Sequence, residues 1–363
     1  MIGASSVISL ELLVAAQQAN VTRIGAVTSL DRLEIPVWQA IRPDSRAVSV
    51  HSGKGFTDEI AISGAIGEAV ESYAAETWWQ ADVRCRWDEL TLAARSPRPS
   101  DWWQTPLDAN SSPIDWAIVE PLAGAPLAVP SDAISNDFTR TRCEGLVASS
   151  AGQAAGMNQG SARLAGLLEV IERDAYRRWQ DMGTAARCAT MLPRTQLPDC
   201  QASRIIADLS ARQFSIAFHT LPSVVDVPVA ACTLRDIRPG SDAPRVAIGS
   251  AARLDPAAAI DAAFLEAVQI RATWISGSRD DLTDPGDADA ASAQGVALPL
   301  PPGITTSAKL PAPTVGGDPL AWLVARLVGA RFVRIAAARL DAPGLGVSVE
   351  KLFVPGLMPM RLA

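Results

Sequence analysis

Two stretches of the chain, Glu68-Ala-Val-Glu71 and Glu169-Val-Ile-Glu172, each set two carboxylates three residues apart inside an otherwise apolar, Ala-rich helical run. Glutamates at i and i+3 share one face of a helix and repel each other. On a solvated helix that repulsion is small. Between Ala61 and Ala75, however, Glu68 and Glu71 are the only charges, and a helix that is apolar nearly all round is a buried one. A buried carboxylate without a cation is costly enough to force protonation or exclusion. Two such pairs therefore point to a place where cations are shared.

The remaining residues narrow the chemistry. Only two histidines occur, His51 and His219, and both read as ordinary. Their scarcity removes di-iron bundles with ExxH helices and zinc hydrolases, and it argues against Ser-His-Asp triads. What remains is oxygen-ligand chemistry. Glutamates from several helices facing one cavity suit Mg²⁺, which takes carboxylates, waters and substrate phosphates, and phosphoryl transfer follows as the natural reaction class. Gly53-Lys54-Gly55 has a lysine among glycines but no Walker A sequence, and alone it is a weak signal that reads more often as a plain turn. A third apolar helix adds Glu266, Gln269 and Arg271, where an internal Glu266–Arg271 pair is an equal reading. Arg279 offers either a local salt bridge or a guanidinium to phosphate. The paired tryptophans read as core or an interaction face, since no basic stripe accompanies them.

These side chains need elements to hold them. The spacing predicts helices over Ser5–Gln18, from Asp58 or Thr57 through the first glutamate pair, over Asn158–Gln180, Ser203–Arg212, Ala257–Ser276 and Pro319–Val328. Strands are expected over Val37–Ile41, where Pro36 ends any helix, and over Ala47–Val50, Ile114–Glu120, Ser215–Thr220, Pro228–Leu234, Val246–Ser250, Phe332–Leu340 and Val347–Val354. Pro126–Pro130 reads as extended and Gly145–Ala155 as a small-residue loop. The stretch from about 283 to 318 is rich in Pro, Gly, Ala, Ser and Asp and reads as a long mobile loop. Interleaved strands and helices give an α+β layered fold, and no internal repeat is visible beyond the two ExxE helices.

The net charge of −7 argues against a nucleic-acid surface and suits metal ions and anionic ligands carried as metal complexes. Five scattered cysteines without CxxC fit a reducing compartment. With no basic leader and no apolar run long enough to span a bilayer, a soluble cytoplasmic protein is expected.

The string Leu30-Asp-Arg-Leu-Glu-Ile-Pro-Val-Trp38, then Gly53-Lys54-Gly55, resembles the start of a YcaO-type domain. Glu68-Ala-Val-Glu71 and Glu169-Val-Ile-Glu172-Arg173-Asp174 resemble that family's two ExxE elements. Glu266-Ala-Val-Gln269-Ile-Arg271 with Gly277-Ser-Arg279-Asp-Asp resembles its third, and Val354-Pro-Gly-Leu357 fits its close. The likeness runs from about residue 20 to the end and implies one domain over residues 1–363.

The resemblance implies an ATP-binding α+β fold, with mixed or antiparallel sheets and helices between which ATP and Mg²⁺ sit. It implies phosphorylation of a peptide backbone amide oxygen, with an azoline or a thioamide as product. Carried over by position, Glu68, Glu71, Glu169 and Glu172 would be Mg²⁺ ligands, with Glu266 and Glu144 as further acidic candidates. Lys54, Gln269 and Arg271 would contact the nucleotide, with Ser63, Arg23 and Arg279 as further partners. No catalytic side chain is assigned. The ending Pro355-Gly-Leu-Met-Pro359 lacks the PxPxP tail of azoline-forming members, which makes the chain more like thioamide-forming members that work with a TfuA-like protein. Other partners implied are a precursor peptide, a separate ThiF-like or peptide-clamp protein, or a second copy of the chain. Some positions depart from the pattern: Glu34 stands where glycine is usual, Ser72 where arginine follows ExxE, Gly64 in a serine position and Glu144 in place of an asparagine. Three readings follow: a thioamide-forming enzyme, an azoline-forming cyclodehydratase, or a non-catalytic peptide- or partner-binding scaffold.

Overall fold

The computed structural model describes residues 8–91, 94, 112–143, 145–146, 149–239, 246–278, 306–340, 342 and 344–357. The chain opens with helix α1 (Leu10–Gln18), then strands β1 (Arg23–Ala26), β2 (Val37–Ile41) and β3 (Val50–Lys54), and helix α2 (Asp58–Thr77). Next come β4 (Val83–Cys85), β5 (Ile114–Ala123), β6 (Leu127–Pro130), the short α3 (Ser131–Ile134), β7 (Gln153–Gly156), α4 (Gln159–Gln180), α5 (Thr184–Ala189) and α6 (Gln201–Ala211). The last part holds β8 (Phe214–Thr220), β9 (Val229–Asp236), β10 (Val246–Ala252), α7 (Pro256–Ser276), α8 (Pro319–Gly329), β11 (Ile335–Arg339) and β12 (Ser348–Phe353).

The strands form three sheets, ordered β1-β2-β3, β10-β9-β8 and β4-β5-β11-β12-β7, with β6 also on β5. All these pairings are antiparallel. Each long helix is pressed between two sheets. α2 packs on β2 and β3 and also on β7 and β12; α7 packs on β9 and β10 and also on β2 and β3; α4 packs on β7 and β12 and also on β9 and β10. Helices and sheets thus alternate around a closed circuit. This is why α2 and α7 are apolar on both sides: Ala61, Ala65 and Ala69 of α2 are fully buried, as are Ile66, Val70 and Ala74. Two of the three main cores lie on opposite faces of the largest sheet, with Ala336, Ala338 and Val349 in one and Ile335, Ala337 and Leu352 in the other.

Glycine sets how closely the helices approach. A Cβ on Gly53 of β3 would lie 2.0 Å from Ala61 O and 2.1 Å from Ala65 N of α2. One on Gly249 of β10 would lie 2.2 Å from Ala267 N and 2.4 Å from Ala263 O of α7. The same unit, a three-stranded antiparallel meander followed by a long helix seated on a strand glycine, therefore occurs twice, a repeat the sequence did not disclose.

Most expected elements fall within a few residues of their observed places. The strand expected at Ala47–Val50 instead runs Val50–Lys54, and the loop expected at Gly145–Ala155 runs into β7 (Gln153–Gly156). β4 was also unforeseen. Of the expected loop, residues 306–318 carry no helix or strand, although Ala308 and Leu310 pack on a core; residues 279–305 lie outside the described residues. Glu34, in the usual glycine position, has φ +55°, the left-handed region that favours glycine. No helix among the described residues is long and apolar enough to cross a membrane.

Candidate functional site

Three strand edges unpaired among the described residues, those of β3, β7 and β10, meet the three long helices, and the glutamates lie at this junction. Lys54 ends β3 and forms an ion pair with Glu266 of α7. Glu71 of α2 reaches β7, where Oε1 accepts from Ala155 N at 2.6 Å, while Gln153 Nε2 donates to the Glu71 main-chain oxygen at 2.7 Å. Glu172 of α4 does the same at β10: Oε1 accepts from Ser250 Oγ at 2.8 Å and Oε2 from Ala252 N at 3.3 Å. The second glutamate of each ExxE pair is thus tied to a sheet edge. Of the first glutamates, Glu169 accepts from Arg173 at 3.1 Å, and Glu68 lies on the exposed flank of α2. Arg173 also approaches Glu172, at 3.9 Å.

The electrostatics show that these groups share one field. Burial, then repulsion from Glu68, pushes the Glu71 carboxyl well above the ordinary range, with Glu169 adding to the rise. Burial also raises Glu169, against Arg173 and with Glu68 and Glu266. Glu172 is raised likewise by burial, with Glu169 and Glu266 reinforcing it. Burial alone would raise Glu266, but Lys54, Arg173 and Arg253 outweigh it and hold this carboxyl low. Arg173 is itself held more basic by Glu172, Glu169 and Glu266, against burial.

Among the described residues no three carboxylates stand close enough to grip one metal ion. The oxygens of Glu71, Glu169, Glu172 and Glu266 are turned toward Lys54, Arg173, the Ser250 hydroxyl and main-chain N–H groups. Mg²⁺ asks for less: it keeps waters and takes one or two carboxylates beside substrate phosphates. The donors here are all oxygen, and three carboxyls with raised proton affinity show more negative charge than Lys54 and Arg173 neutralise. The residues present therefore fit Mg²⁺ delivered with a polyphosphate.

The structure does not gather every expected residue. Gln269 lies one turn along α7 from Glu266, and its Oε1 is buried without a hydrogen-bond partner among the described residues. Ser63 is half-buried on α2 before Glu68. Arg271 is a correction: five residues past Glu266, it lies roughly 140° round the helix. There its guanidinium is buried, 2.9 Å from Asp31 and 3.1 Å from Asp236, and it braces the fold rather than facing the cluster. Arg23 is a second correction. It is exposed on β1, two strands across from β3, and its row of the sheet (Arg23, Ile41, Val50) is at the opposite end from Lys54. That separates the two by about 10 Å across and about 13 Å along the strands. Glu144 and Arg279 lie outside the described residues. Arg173, Ser250 and Arg253 were not foreseen as parts of the site. The i,i+4 spacing of Glu169 and Arg173 carried a signal for the first. Nothing in the sequence marked Ser250. His219 is an ordinary core residue, as expected: burial lowers it to about 4, and it packs on Trp179 beside Thr190.

A family model described as "YcaO cyclodehydratase, ATP-ad Mg2+-binding" matches residues 52–358, and the chain belongs to this family. ATP and Mg²⁺ are the ligands by which the family's domain is described, and its chemistry is ATP-dependent peptide modification. A Rhizobium leguminosarum bv. trifolii protein, "Uncharacterized protein in tfuA 3'region", is 30% identical over 371 residues, covering 93% of this chain and 84% of that protein. An uncharacterized protein of Methanothermobacter thermautotrophicus is 31% identical over 285 residues, 72% of this chain and 68% of the relative. Among solved structures, a YcaO from Methanopyrus kandleri bound with AMPPCP and Mg²⁺ superposes with a TM-score of 0.69 at 22% identity, over 94% of this chain and 87% of that one. A heterocyclase in complex with substrate and cofactor gives a TM-score of 0.74 at 20% identity over 97% of this chain. The chain spans about half (52%) of that heterocyclase's length. These likenesses show the shared α+β fold.

Proposed function

We propose that the chain uses Mg·ATP to phosphorylate the oxygen of a backbone amide in a precursor peptide, and that sulfide then replaces that oxygen to give a thioamide. The observation that carries the ATP step is the convergence of Glu68, Glu71, Glu169, Glu172 and Glu266 from three helices around Lys54 and Arg173. When bound, Mg²⁺ supplies positive charge to the triphosphate. One or two of these glutamates would hold it directly or through water, Lys54 and Arg173 would face phosphate oxygens, and the Gln269 oxygen, unpartnered among the described residues, would accept from a nucleotide N–H or O–H donor. Placing carboxylates, an ammonium and a guanidinium in advance where charge develops is how such a site lowers a phosphoryl-transfer barrier.

In balance, the γ-phosphoryl group passes to the amide oxygen and ADP leaves. Sulfide adds to the amide carbon, and phosphate departs with the original oxygen. Sulfide must be delivered, and the relative in a tfuA region supports a TfuA-like protein as the deliverer.

The test is mass spectrometry of a candidate precursor peptide incubated with the protein, Mg·ATP, a sulfide source and a TfuA-like partner. The expected result is the mass gain of an oxygen-for-sulfur exchange with ATP turnover. Loss of water would instead assign the chain to azoline formation. Peptide binding without ATP hydrolysis would make it a scaffold.

A further inference from the structure

Lys351 lies in the middle of β12, is 2% exposed, and plays no part in the site described above. Its Nζ donates to three main-chain carbonyls: Ser149 at 2.6 Å, Ala133 at 2.9 Å and Ile134 at 3.4 Å. Among the described residues no carboxylate pairs with it. A buried ammonium satisfied only by carbonyls is a poor way to gain stability, since an apolar side chain of similar size serves a core better. Its placement offers another reason. Ala133 and Ile134 close α3, and Ser149 immediately precedes the turn, Ser150 to Gln153, that leads into β7, the strand directly opposite Lys351 in register (Lys351 with Gln153). That strand supplies both groups that hold Glu71: the Ala155 N–H and the Gln153 side-chain amide.

We infer that Lys351 is a positioning residue for the nucleotide site, its ammonium fixing the turn at Ser149 so that β7 presents its hydrogen-bond donors to Glu71. The inference rests on the reading of the glutamate cluster as a Mg·ATP site. The charged groups facing Lys351 are Arg142, from the segment after α3, and Glu169 of α4. Asp132 acts on Arg142, and Glu71 lies beyond β7. Burial, with Arg142 adding, pushes the Lys351 amine down to about 7, against the pull of Glu169. An ammonium has three N–H donors for three carbonyls, whereas a neutral amine has two. One carbonyl therefore loses its donor as the pH rises through neutrality.

The experiment compares the full-length protein with Lys351→Met and Lys351→Arg. It reads amide hydrogen exchange across Gln153–Gly156 and the calorimetric affinity for Mg·ATP on both sides of pH 7. As the pH rises through neutrality, wild type should lose affinity severalfold relative to Lys351→Arg, which carries the same glutamates. Lys351→Arg, charged throughout, should show only the pH dependence of the glutamates and match wild type at low pH. Lys351→Met should expose the Ala155 amide and bind Mg·ATP about tenfold more weakly at all pH values, as expected when a supporting group is lost. Wild-type protection of Ala155 in Lys351→Met, or lost protection with unchanged affinity, overturns the inference. If Lys351→Met does not fold, a pH profile of Lys351→Arg that matches wild type overturns it equally. A wild type that binds no Mg·ATP would overturn the functional reading instead, and the exchange comparison would still decide whether Lys351 sets β7.

Discussion

At the scale of single residues, the site is a store of unneutralised charge. Glu71, Glu169 and Glu172 have folded pKa values above their free ones. For such groups, the contribution to stability is complete below the free value and is lost as pH rises through the raised one. At neutral pH the ligand-free fold therefore works against its own carboxylates. Glu71→Gln keeps an oxygen for the Ala155 N–H and removes the charge. At pH 7 without nucleotide it should be more stable than wild type by on the order of 1 kcal/mol, while binding Mg·ATP at least about tenfold more weakly. Thermal melts without ligand, beside calorimetry with it, measure the two effects. A variant that is less stable and binds normally would show Glu71 to be a fold residue only. Arg271 illustrates the converse. Its sequence neighbourhood suggested a nucleotide contact, but helix phase turned it into a buried partner of Asp31 and Asp236, residues remote from it in the chain.

At the scale of elements, close approach does the positioning. Glu266 reaches Lys54 because α7 lies hard against both β10 and β3, and the contact with β10 passes over Gly249. Gly249→Ala would drive a methyl into helix backbone, which cannot swing aside as a side chain can. It should lower stability by about 1–3 kcal/mol, seen as a lower denaturant midpoint, and weaken Mg·ATP binding by shifting Glu266. An unchanged midpoint would mean that α7 has slack the structure does not show. The longer helices were plain in the sequence, because apolar periodicity and capping residues mark them, whereas the short α3 and α5 were not. Asn158, Asp255 and Asp318 each cap a helix as such residues should. The strand β7 was not plain: Gln-Ala-Ala-Gly has low intrinsic strand preference and becomes a strand only by pairing with β12.

At the scale of the whole molecule, three sheets and three helices close a circuit whose junction is acidic. Such a fold should be completed by its ligand. With free Mg·ATP at a hundred times its dissociation constant, stability should rise by about 2.7 kcal/mol, and a chelator should remove the gain. A melting temperature indifferent to Mg·ATP would sink the site. The expectation of layered α+β architecture matched the structure, but the circuit itself and its twice-used meander-and-helix unit did not show in the sequence. The two copies share a shape and a strand glycine, while their side chains differ.

The sequence alone showed which glutamates stand in apolar helical runs, and hence that cations and phosphates are natural ligands, because burying a carboxylate without a cation is costly. Only the tertiary structure decided which of those side chains meet. Helix phase and strand register are set by packing between segments far apart in the chain. They brought Lys54, Ser250 and β7 to the glutamates and gave Arg271 and Arg23 other surroundings.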